Sequence, residues 1–156
     1  MKIYVVRHGI TEWNYLGKAQ GSADIPLAEE GIRLAKVTGE CLKDVHFDIC
    51  FTSPLSRARK TAELVLGERA GEVPVIEDDR LKEIEFGDLE GVRFKDENGN
   101  MICKEIEQFL TDPYTMQWPE NAETIVDICE RTGAFLDEIL SDSSLSAFLP
   151  PTVAHQ

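Results

Sequence analysis

The chain has 156 residues, of which 42% are hydrophobic and 29% are charged, and this composition is typical of one globular domain. No apolar run is long enough to span a membrane, and the N-terminal run is too short for a signal peptide, so we expect a cytoplasmic protein. The net charge of −13 argues against nucleic acid as a partner, whereas a local arginine cluster can still bind a small phosphate ester.

The chain opens with an apolar run, Ile3–Val6, that ends in Arg7-His8-Gly9. A short β-branched run bounded by glycine is typical of a buried strand. Strands of α/β folds end at the carboxyl edge of the sheet, where ligands bind. An imidazole beside a guanidinium at this edge therefore indicates a site for an anion.

Strands and helices alternate along the rest of the chain. The apolar spacing predicts strands at 47–51 and 73–76 and helices at 28–42, 55–66, 101–110 and 121–139. This alternation predicts a single α/β domain with a layered sheet. We expect Ser53 to cap helix 55–66, which places Arg57 in the first turn. The helix dipole disfavours a cation there, and a bound anion would resolve the conflict.

The four cysteines are expected to be free thiols. They form no Cys-x-x-Cys pair, and none lies beside a histidine at metal-ligand spacing, so we expect neither a metal site nor a cofactor. The positions on predicted apolar helix faces or in a predicted strand favour burial for Cys41, Cys129 and Cys50.

Three features have the chemistry that phosphoryl transfer needs, which is a nucleophile, cations for the phosphate oxygens and an acid for the leaving group. They are Arg7-His8, Arg57, and the carboxylates Glu83 and Glu85 after the third predicted strand. A neutral imidazole can form a phosphoramidate that water hydrolyses without a metal. Each residue alone also has an ordinary structural explanation, as a strand-end histidine, a solvated helix face or a surface acid.

Four ordered sequence blocks favour the phosphoryl-transfer interpretation. They are Arg7-His8-Gly9 with Thr11-Glu12-Trp13-Asn14, Gln20-Gly21-x-x-Asp24-x-Pro26-Leu27, Ser53-Pro54-Leu55-x-Arg57-Ala58-x-x-Thr61-Ala62, and Leu81-x-Glu83-Ile84-x-Phe86-Gly87-x-x-Glu90-Gly91. Together, over roughly residues 2–140, they resemble the signature of the histidine phosphatase superfamily, also called phosphoglycerate mutase-like. This resemblance implies a three-layer α/β/α sandwich.

The resemblance also implies the site residues. His8 becomes the phosphohistidine, and Glu83, with Glu85 as the weaker alternative, protonates the leaving group. The remaining positions hold the substrate: Arg7, Arg57 and Asn14 bind the phosphoryl group, and Thr11, Gln20 and Gly21 line the pocket.

The expected partner is a small phosphorylated metabolite. The Ser53-Pro54-Leu55 block and the compact loops resemble the broad-specificity phosphatase branch, although cobalamin-pathway phosphatases share these blocks. This resemblance implies metal-independent hydrolysis of phosphomonoesters. Phosphoglycerate mutase-type isomerisation is one alternative. A truncated, inactive member that only binds phosphorylated ligands is another.

The last residues depart from the family pattern, in which a buried strand after the late helix ends in a second histidine followed by glycine. Here Pro150-Pro151 occupies the expected strand, and His155 is followed by Gln156. We therefore predict an incomplete domain at 1–140 that lacks the C-terminal strand or strands and helix. The tail 141–156 is expected to be aberrant or disordered, with His155 only a doubtful catalytic residue. The missing neighbour would leave the first strand unpaired and allow self-association through an exposed sheet edge.

Overall fold

Helices and a small sheet alternate along residues 2–146, the part of the chain that the computed structural model describes. The elements in chain order are α1 (Glu12–Tyr15), α2 (Glu29–Cys41), β1 (Cys50–Thr52), α3 (Ser56–Leu66), β2 (Val75–Glu77), α4 (Lys104–Thr111), α5 (Ile125–Ser141) and α6 (Ser143–Ser146). Short 3₁₀ turns lie at Gly67–Gly71, Asp79–Leu81 and Gly87–Leu89. Within residues 2–146, no helix is long and apolar enough to cross a membrane.

The sheet of the described region consists of β1 and β2, which pair in parallel with Phe51 opposite Ile76. Both strands begin later than the sequence predicts. Pro74 explains the start of β2: its carbonyl accepts a hydrogen bond from the Cys50 N–H (2.9 Å), but proline has no N–H to return. The ladder therefore begins at Val75.

Helices pack against this sheet. The ring of Phe51 in β1 meets the ring of Phe135 in α5 edge to face, and α3 also packs against β1. Gly39 allows α2 to approach α3 closely, because a Cβ at this position would lie 2.8 Å from the Leu64 carbonyl oxygen. The predicted helix 55–66 is confirmed, but its cap is not. Leu55 is the N-cap residue, and Ser53 Oγ instead accepts a long hydrogen bond from the Leu55 N–H (3.4 Å).

The first apolar run differs from its prediction. Residues 2–10 form no strand ladder within the described region, and Ile3–Val6 are exposed, with Val5 at 92%. The prediction of a buried strand is therefore wrong here. The physical reason is that a strand needs a neighbour, and β1 and β2 pair only with each other in this region. The Tyr4 ring packs edge to face against Phe47.

A hydrophobic core lies beneath the segment that carries Glu83. Ile84 and Phe86 are buried there, with exposures of 1% and 6%, whereas Glu83 and Glu85, which alternate with them, are exposed. This alternation fixes which side of the segment faces solvent. Ala19 and Ile106 complete this core, and the partly buried side chains of Phe109 and Trp118 pack against it.

The predicted burial of two cysteines is wrong, because Cys41 and Cys129 are exposed. The buried stripe of α2 consists of Gly31, Ala35 and Gly39, and Cys41 lies outside that spacing. Helix α5 continues to Ser141 and α6 follows it, so the first residues of the predicted tail are helical. The aberrant or disordered character expected for 141–156 stays a prediction. His155 lies outside the described residues.

Candidate active site

The segment that carries His8 is tied to α3. The Gly9 N–H donates to Thr61 Oγ1 (3.0 Å), and the Thr61 hydroxyl donates to the Arg57 carbonyl (2.7 Å). On its other side the segment meets the start of α2, where a Cβ on Gly31 would lie 2.2 Å from the Ile10 carbonyl oxygen. Only glycine allows this approach. These contacts hold the His8 segment between α2 and α3 although residues 2–10 form no strand in the described region.

The His8 ring is held in one tautomer. Its Nδ1 lies 2.7 Å from the Gly9 carbonyl oxygen. Because a carbonyl can only accept, Nδ1 carries the proton and Nε2 keeps its lone pair. Burial lowers the pKa of His8 below 6.5, and the positive charges of Arg57 and Arg7 lower it further. The Gly9 hydrogen bond and the Glu83 carboxylate act in the opposite direction. The net effect favours a neutral imidazole at pH 7, which is the nucleophilic form.

Arg57 is buried, with 1% exposure, and its guanidinium is anchored to the loop that follows α1. Nη1 donates to the Ala23 carbonyl (2.7 Å) and Nη2 to the Gly21 carbonyl (2.6 Å). Burial lowers the pKa of Arg57, and the Glu83, Asp24 and Glu90 carboxylates oppose that effect. An arginine remains charged under such conditions. When the Gln20 amide nitrogen faces Thr11, Nη1 also lies within hydrogen-bond distance of Gln20 Oε1 (3.3 Å).

A hydrogen-bond chain runs from Arg57 to α1. With the Gln20 amide nitrogen facing Thr11, Gln20 Oε1 accepts from Arg57 Nε (2.9 Å) and its nitrogen donates to Thr11 Oγ1 (2.5 Å). The Thr11 hydroxyl donates in turn to Asn14 Oδ1 (3.1 Å), as part of the capping box of α1. Thr11 is completely buried, and its hydroxyl links Gln20 to Asn14. Its role in lining the pocket stays a prediction. Gln20 orients Arg57 in this arrangement.

Gly21 also serves the site through its backbone. Its carbonyl receives Arg57, and its N–H donates to Glu90 Oε1 (2.8 Å). A Cβ at this position would lie 2.0 Å from the Ile84 carbonyl oxygen, so the position requires glycine. Glu90 Oε2 is buried and has no hydrogen-bond partner among residues 2–146. The Gly21 loop is therefore fixed between Arg57 and the core that carries Glu83.

Glu83 lies at the rim of a cavity of about 390 Å³. Its Oε1 accepts a hydrogen bond from the N–H of Ile84 (2.9 Å). Lys82, Glu85 and Arg131 line the same cavity.

Arg7 and Asn14 are exposed. A depression of about 360 Å³ between α2 and α3 contains none of the predicted site residues.

The structure thus brings together most of the predicted residues. The charges of Arg7, Arg57 and Glu83 act on His8, and Glu83 also acts on Arg57. Thr11, Gln20 and Asn14 form a hydrogen-bond network with Arg57. The sequence interpretation missed the roles of Thr61, Glu90 and Arg131. Thr61 and Glu90 stand inside the quoted blocks. Helical spacing could have pointed to Arg131. It follows Ile128 by three residues and precedes Phe135 by four, so this arginine lies on the otherwise apolar face of α5.

Comparison with known proteins identifies the family. A family model described as the histidine phosphatase superfamily, branch 1, matches residues 3–154. The chain belongs to the histidine phosphatase superfamily. An uncharacterized phosphatase of Bacillus subtilis, PhoE, is 47% identical over 90 residues, which cover 58% of this chain and 46% of that protein. A 2,3-bisphosphoglycerate-dependent phosphoglycerate mutase of Cytophaga hutchinsonii is 33% identical over 136 residues, 87% of this chain and 63% of that protein.

A solved structure of the superfamily confirms the fold. Bacillus stearothermophilus YhfR aligns with a TM-score of 0.73 and 34% identity, covering 86% of this chain and 64% of that one. The predicted phosphoglycerate mutase-like α/β fold is therefore confirmed. This superfamily member spans less than two thirds of the length of the three relatives.

Proposed function

We propose that this chain hydrolyses phosphomonoesters of small metabolites through a phosphohistidine at His8. One observation carries the proposal: His8 is held in a tautomer that leaves the Nε2 lone pair free, and the positive charge of the buried Arg57 acts on this ring. The similarity to the phosphatase PhoE supports hydrolysis. The site uses only side chains in this proposal and requires no metal.

The proposed reaction has two steps. In the first, His8 Nε2 attacks phosphorus, the bond between phosphorus and the ester oxygen breaks, and the Glu83 carboxyl group protonates that oxygen as it leaves. In the second, Glu83 as carboxylate takes a proton from water, the water oxygen attacks phosphorus, and the phosphorus–nitrogen bond breaks. Arg57 and Arg7 stabilise the charge on the phosphoryl oxygens, with Asn14 at the rim. Inorganic phosphate is released, and the Glu83 carboxyl group and the neutral His8 are regenerated.

A mutase is the second candidate, because a mutase of Cytophaga hutchinsonii is similar over 87% of this chain. A mutase shares the phosphohistidine step and differs in the acceptor, which is a second hydroxyl instead of water. Supplying 3-phosphoglycerate to the phosphorylated protein separates these outcomes. Transfer to the sugar acid indicates a mutase, and release of inorganic phosphate indicates a phosphatase.

A third candidate is a member that binds phosphorylated ligands without turnover. The observation that favours it is the exposed Ile3–Val6 run, because His8 follows a segment without ladder support in the described region. Binding of a phosphate ester without phosphate release would indicate this function.

We also propose the cytoplasm as the location, where four free thiols remain reduced.

Hydrolysis of p-nitrophenyl phosphate in the presence of EDTA tests the proposal. We expect turnover that is insensitive to EDTA and falls at least about 1,000-fold in His8→Ala. His46→Ala is the matched control, because His46 is exposed and paired with Asp48. His155→Ala tests the doubtful second histidine in the same assay. Turnover that survives in His8→Ala, or that EDTA abolishes, would refute the mechanism.

A further inference from the structure

We propose that Arg131 of α5 is a positioning residue, which holds the backbone of the Glu83 segment so that the Glu83 carboxyl group meets the leaving-group oxygen. This inference rests on the proposed function, because it assigns a role to the supports of the proton donor. Arg131 does not itself react.

The guanidinium of Arg131 donates hydrogen bonds to the backbone carbonyl of Glu83 and to two carbonyls that precede it. Nη1 donates to the carbonyls of Arg80 (2.6 Å) and Lys82 (2.8 Å), and Nη2 reaches the carbonyl of Glu83 (3.3 Å). One planar side chain therefore connects three carbonyls of a segment that has no regular secondary structure after Leu81. A planar fork with several donors suits this task, whereas a lysine does not.

Glu123 completes the support from the other side. Both of its carboxylate oxygens accept hydrogen bonds from Arg131, through Nε and through Nη2 (2.7 Å). Its backbone N–H donates to the Glu85 carbonyl (2.8 Å), and its Oε2 accepts from the Glu85 N–H (3.3 Å). The pair Arg131–Glu123 thus binds the backbone on both sides of Ile84. Glu83 is held at one end and Glu85 at the other.

The pair lies in a partly buried position, with side-chain exposures of 20% for Arg131 and 18% for Glu123. Charge-assisted hydrogen bonds are stronger there than on an open surface. The Glu123 hydrogen bond raises the pKa of Arg131, and the charge of Glu83 contributes in the same direction. Arg131 therefore lies within the field of the carboxylate that it positions. Both also line the same cavity of about 390 Å³.

Arg69 offers a matched control. It is also partly buried and donates to four backbone carbonyls, those of Leu42, Val45, Val65 and Leu66. None of these partners is a candidate site residue. Arg69→Met and Arg131→Met therefore remove similar cross-links, but only the second touches the Glu83 segment.

The kinetic test varies the leaving group. A p-nitrophenolate leaves with little help from an acid, whereas an alkoxide requires protonation. Because Glu83 also acts as the base in the second step, the test follows release of the leaving group in a single turnover. We expect Arg131→Met to slow alcohol release from an alkyl phosphate by about 10- to 100-fold and p-nitrophenol release by less than about threefold. Arg69→Met should change both rates equally. An equal loss for both esters in Arg131→Met would overturn the proposal, since a merely structural role lowers the active fraction for every substrate.

The second kinetic arm is a double-mutant cycle with Glu83→Gln. If Arg131 acts through Glu83, adding Arg131→Met to Glu83→Gln causes no further loss of kcat on the alkyl ester. A full additional loss, or an effect confined to KM, would show that Arg131 contacts the substrate directly and would overturn the proposal.

Amide hydrogen exchange tests the same claim without turnover. The amides of Ile84 and Glu85 donate to Glu83 Oε1 and Glu123 Oε2. We expect both to exchange at least about tenfold faster in Arg131→Met and to keep their rates in Arg69→Met. Unchanged exchange in Arg131→Met would overturn the positioning role. Absence of hydrolysis in the unmodified chain would instead overturn the proposed function, while the exchange result would still decide the role of Arg131.

Discussion

His8 combines a fixed tautomer with a pKa below its ordinary value. The Gly9 carbonyl fixes the proton on Nδ1, and burial together with two arginines disfavours the imidazolium. Both effects leave Nε2 unprotonated, and a nucleophile needs such a free lone pair at the operating pH. The same arginines that bind the phosphoryl oxygens in our proposal thus also keep the nucleophile neutral.

The lowered pKa of His8 predicts the acid limb of activity. We expect an NMR titration of the His8 ring to give a midpoint below pH 6.5, and kcat/KM to fall only as the pH passes below that midpoint. Removal of the positive charge in Arg57→Gln should move the ring titration to higher pH. A midpoint at or above 6.5 in the unmodified chain would contradict the electrostatic description of the site.

The same shift has a consequence for stability. Between the folded-state pKa of His8 and the ordinary value of 6.5, the unfolded chain binds more protons than the folded chain, so the free energy of unfolding decreases as the pH falls through this window. His8→Asn removes this dependence. Urea unfolding at several pH values between 7 and 5 should therefore show a smaller loss of stability in His8→Asn. Parallel losses in both proteins would contradict the shift.

The site residues differed in how well the sequence predicted them. His8, Arg57 and Glu83 stand in ordered motif blocks, and their roles followed from the resemblance. The burial of Thr11 and the link from Gln20 to Arg57 did not follow, because both depend on how the loop after α1 folds against α3. The contacts of Arg131 join residues about fifty positions apart, and no local pattern encodes such distances.

At the scale of elements, the start of α2 holds the His8 segment in place. Gly31 lies in the first turn of α2 and approaches the Ile10 backbone so closely that a methyl group does not fit. Ile10 in turn accepts a hydrogen bond from the Ala28 N–H (2.9 Å). The approach of α2 therefore sets the path of the chain directly after His8-Gly9.

A pair of glycine substitutions tests this packing. Gly31→Ala places a Cβ 2.2 Å from a backbone oxygen, so we expect a loss of about 1–3 kcal/mol in the free energy of unfolding and a displaced His8 segment. Gly133→Ala in α5 is the control, because nothing lies within 4 Å of its added Cβ, and we expect a gain of about 0.5–1 kcal/mol. The measurement is urea unfolding with hydrolysis assayed in parallel. Equal effects of the two substitutions would contradict the packing argument.

Helices were easier to predict from the sequence than strands. The apolar spacing of α3 and α5 is encoded within each segment, and both helices lie close to their predicted ranges. A strand, in contrast, depends on a partner. Ile3–Val6 has the composition of a buried strand and is exposed in the described region, because pairing is decided by another part of the chain.

At the scale of the whole molecule, exposed apolar side chains favour association between molecules, whereas the large net charge opposes it. Val5 is 92% exposed beside three further exposed apolar residues of the first run, whereas the net charge of −13 keeps molecules apart. Salt weakens the repulsion and leaves the apolar attraction in place. We therefore propose self-association through the Ile3–Val6 segment at raised ionic strength.

Light scattering at increasing salt tests this association. We expect the apparent mass to rise with salt and with protein concentration, and Val5→Asn to suppress the rise. Leu110→Asn on α4 is the control, because Leu110 is also exposed, at 59%, but lies outside the first run. A monomer at all salt concentrations, or equal suppression by both substitutions, would refute association through this segment.

Direct detection of the intermediate is the sharpest test of the central claim that His8 is the nucleophile. The chain is mixed with p-nitrophenyl phosphate and EDTA, quenched at alkaline pH, where phosphoramidates survive, and digested for mass spectrometry. We predict one phosphoryl group on the peptide that contains His8, lost on acid treatment, absent in His8→Ala and retained in His46→Ala. A phosphoryl group on any other residue, or turnover without modification of His8, would show that His8 is not the nucleophile.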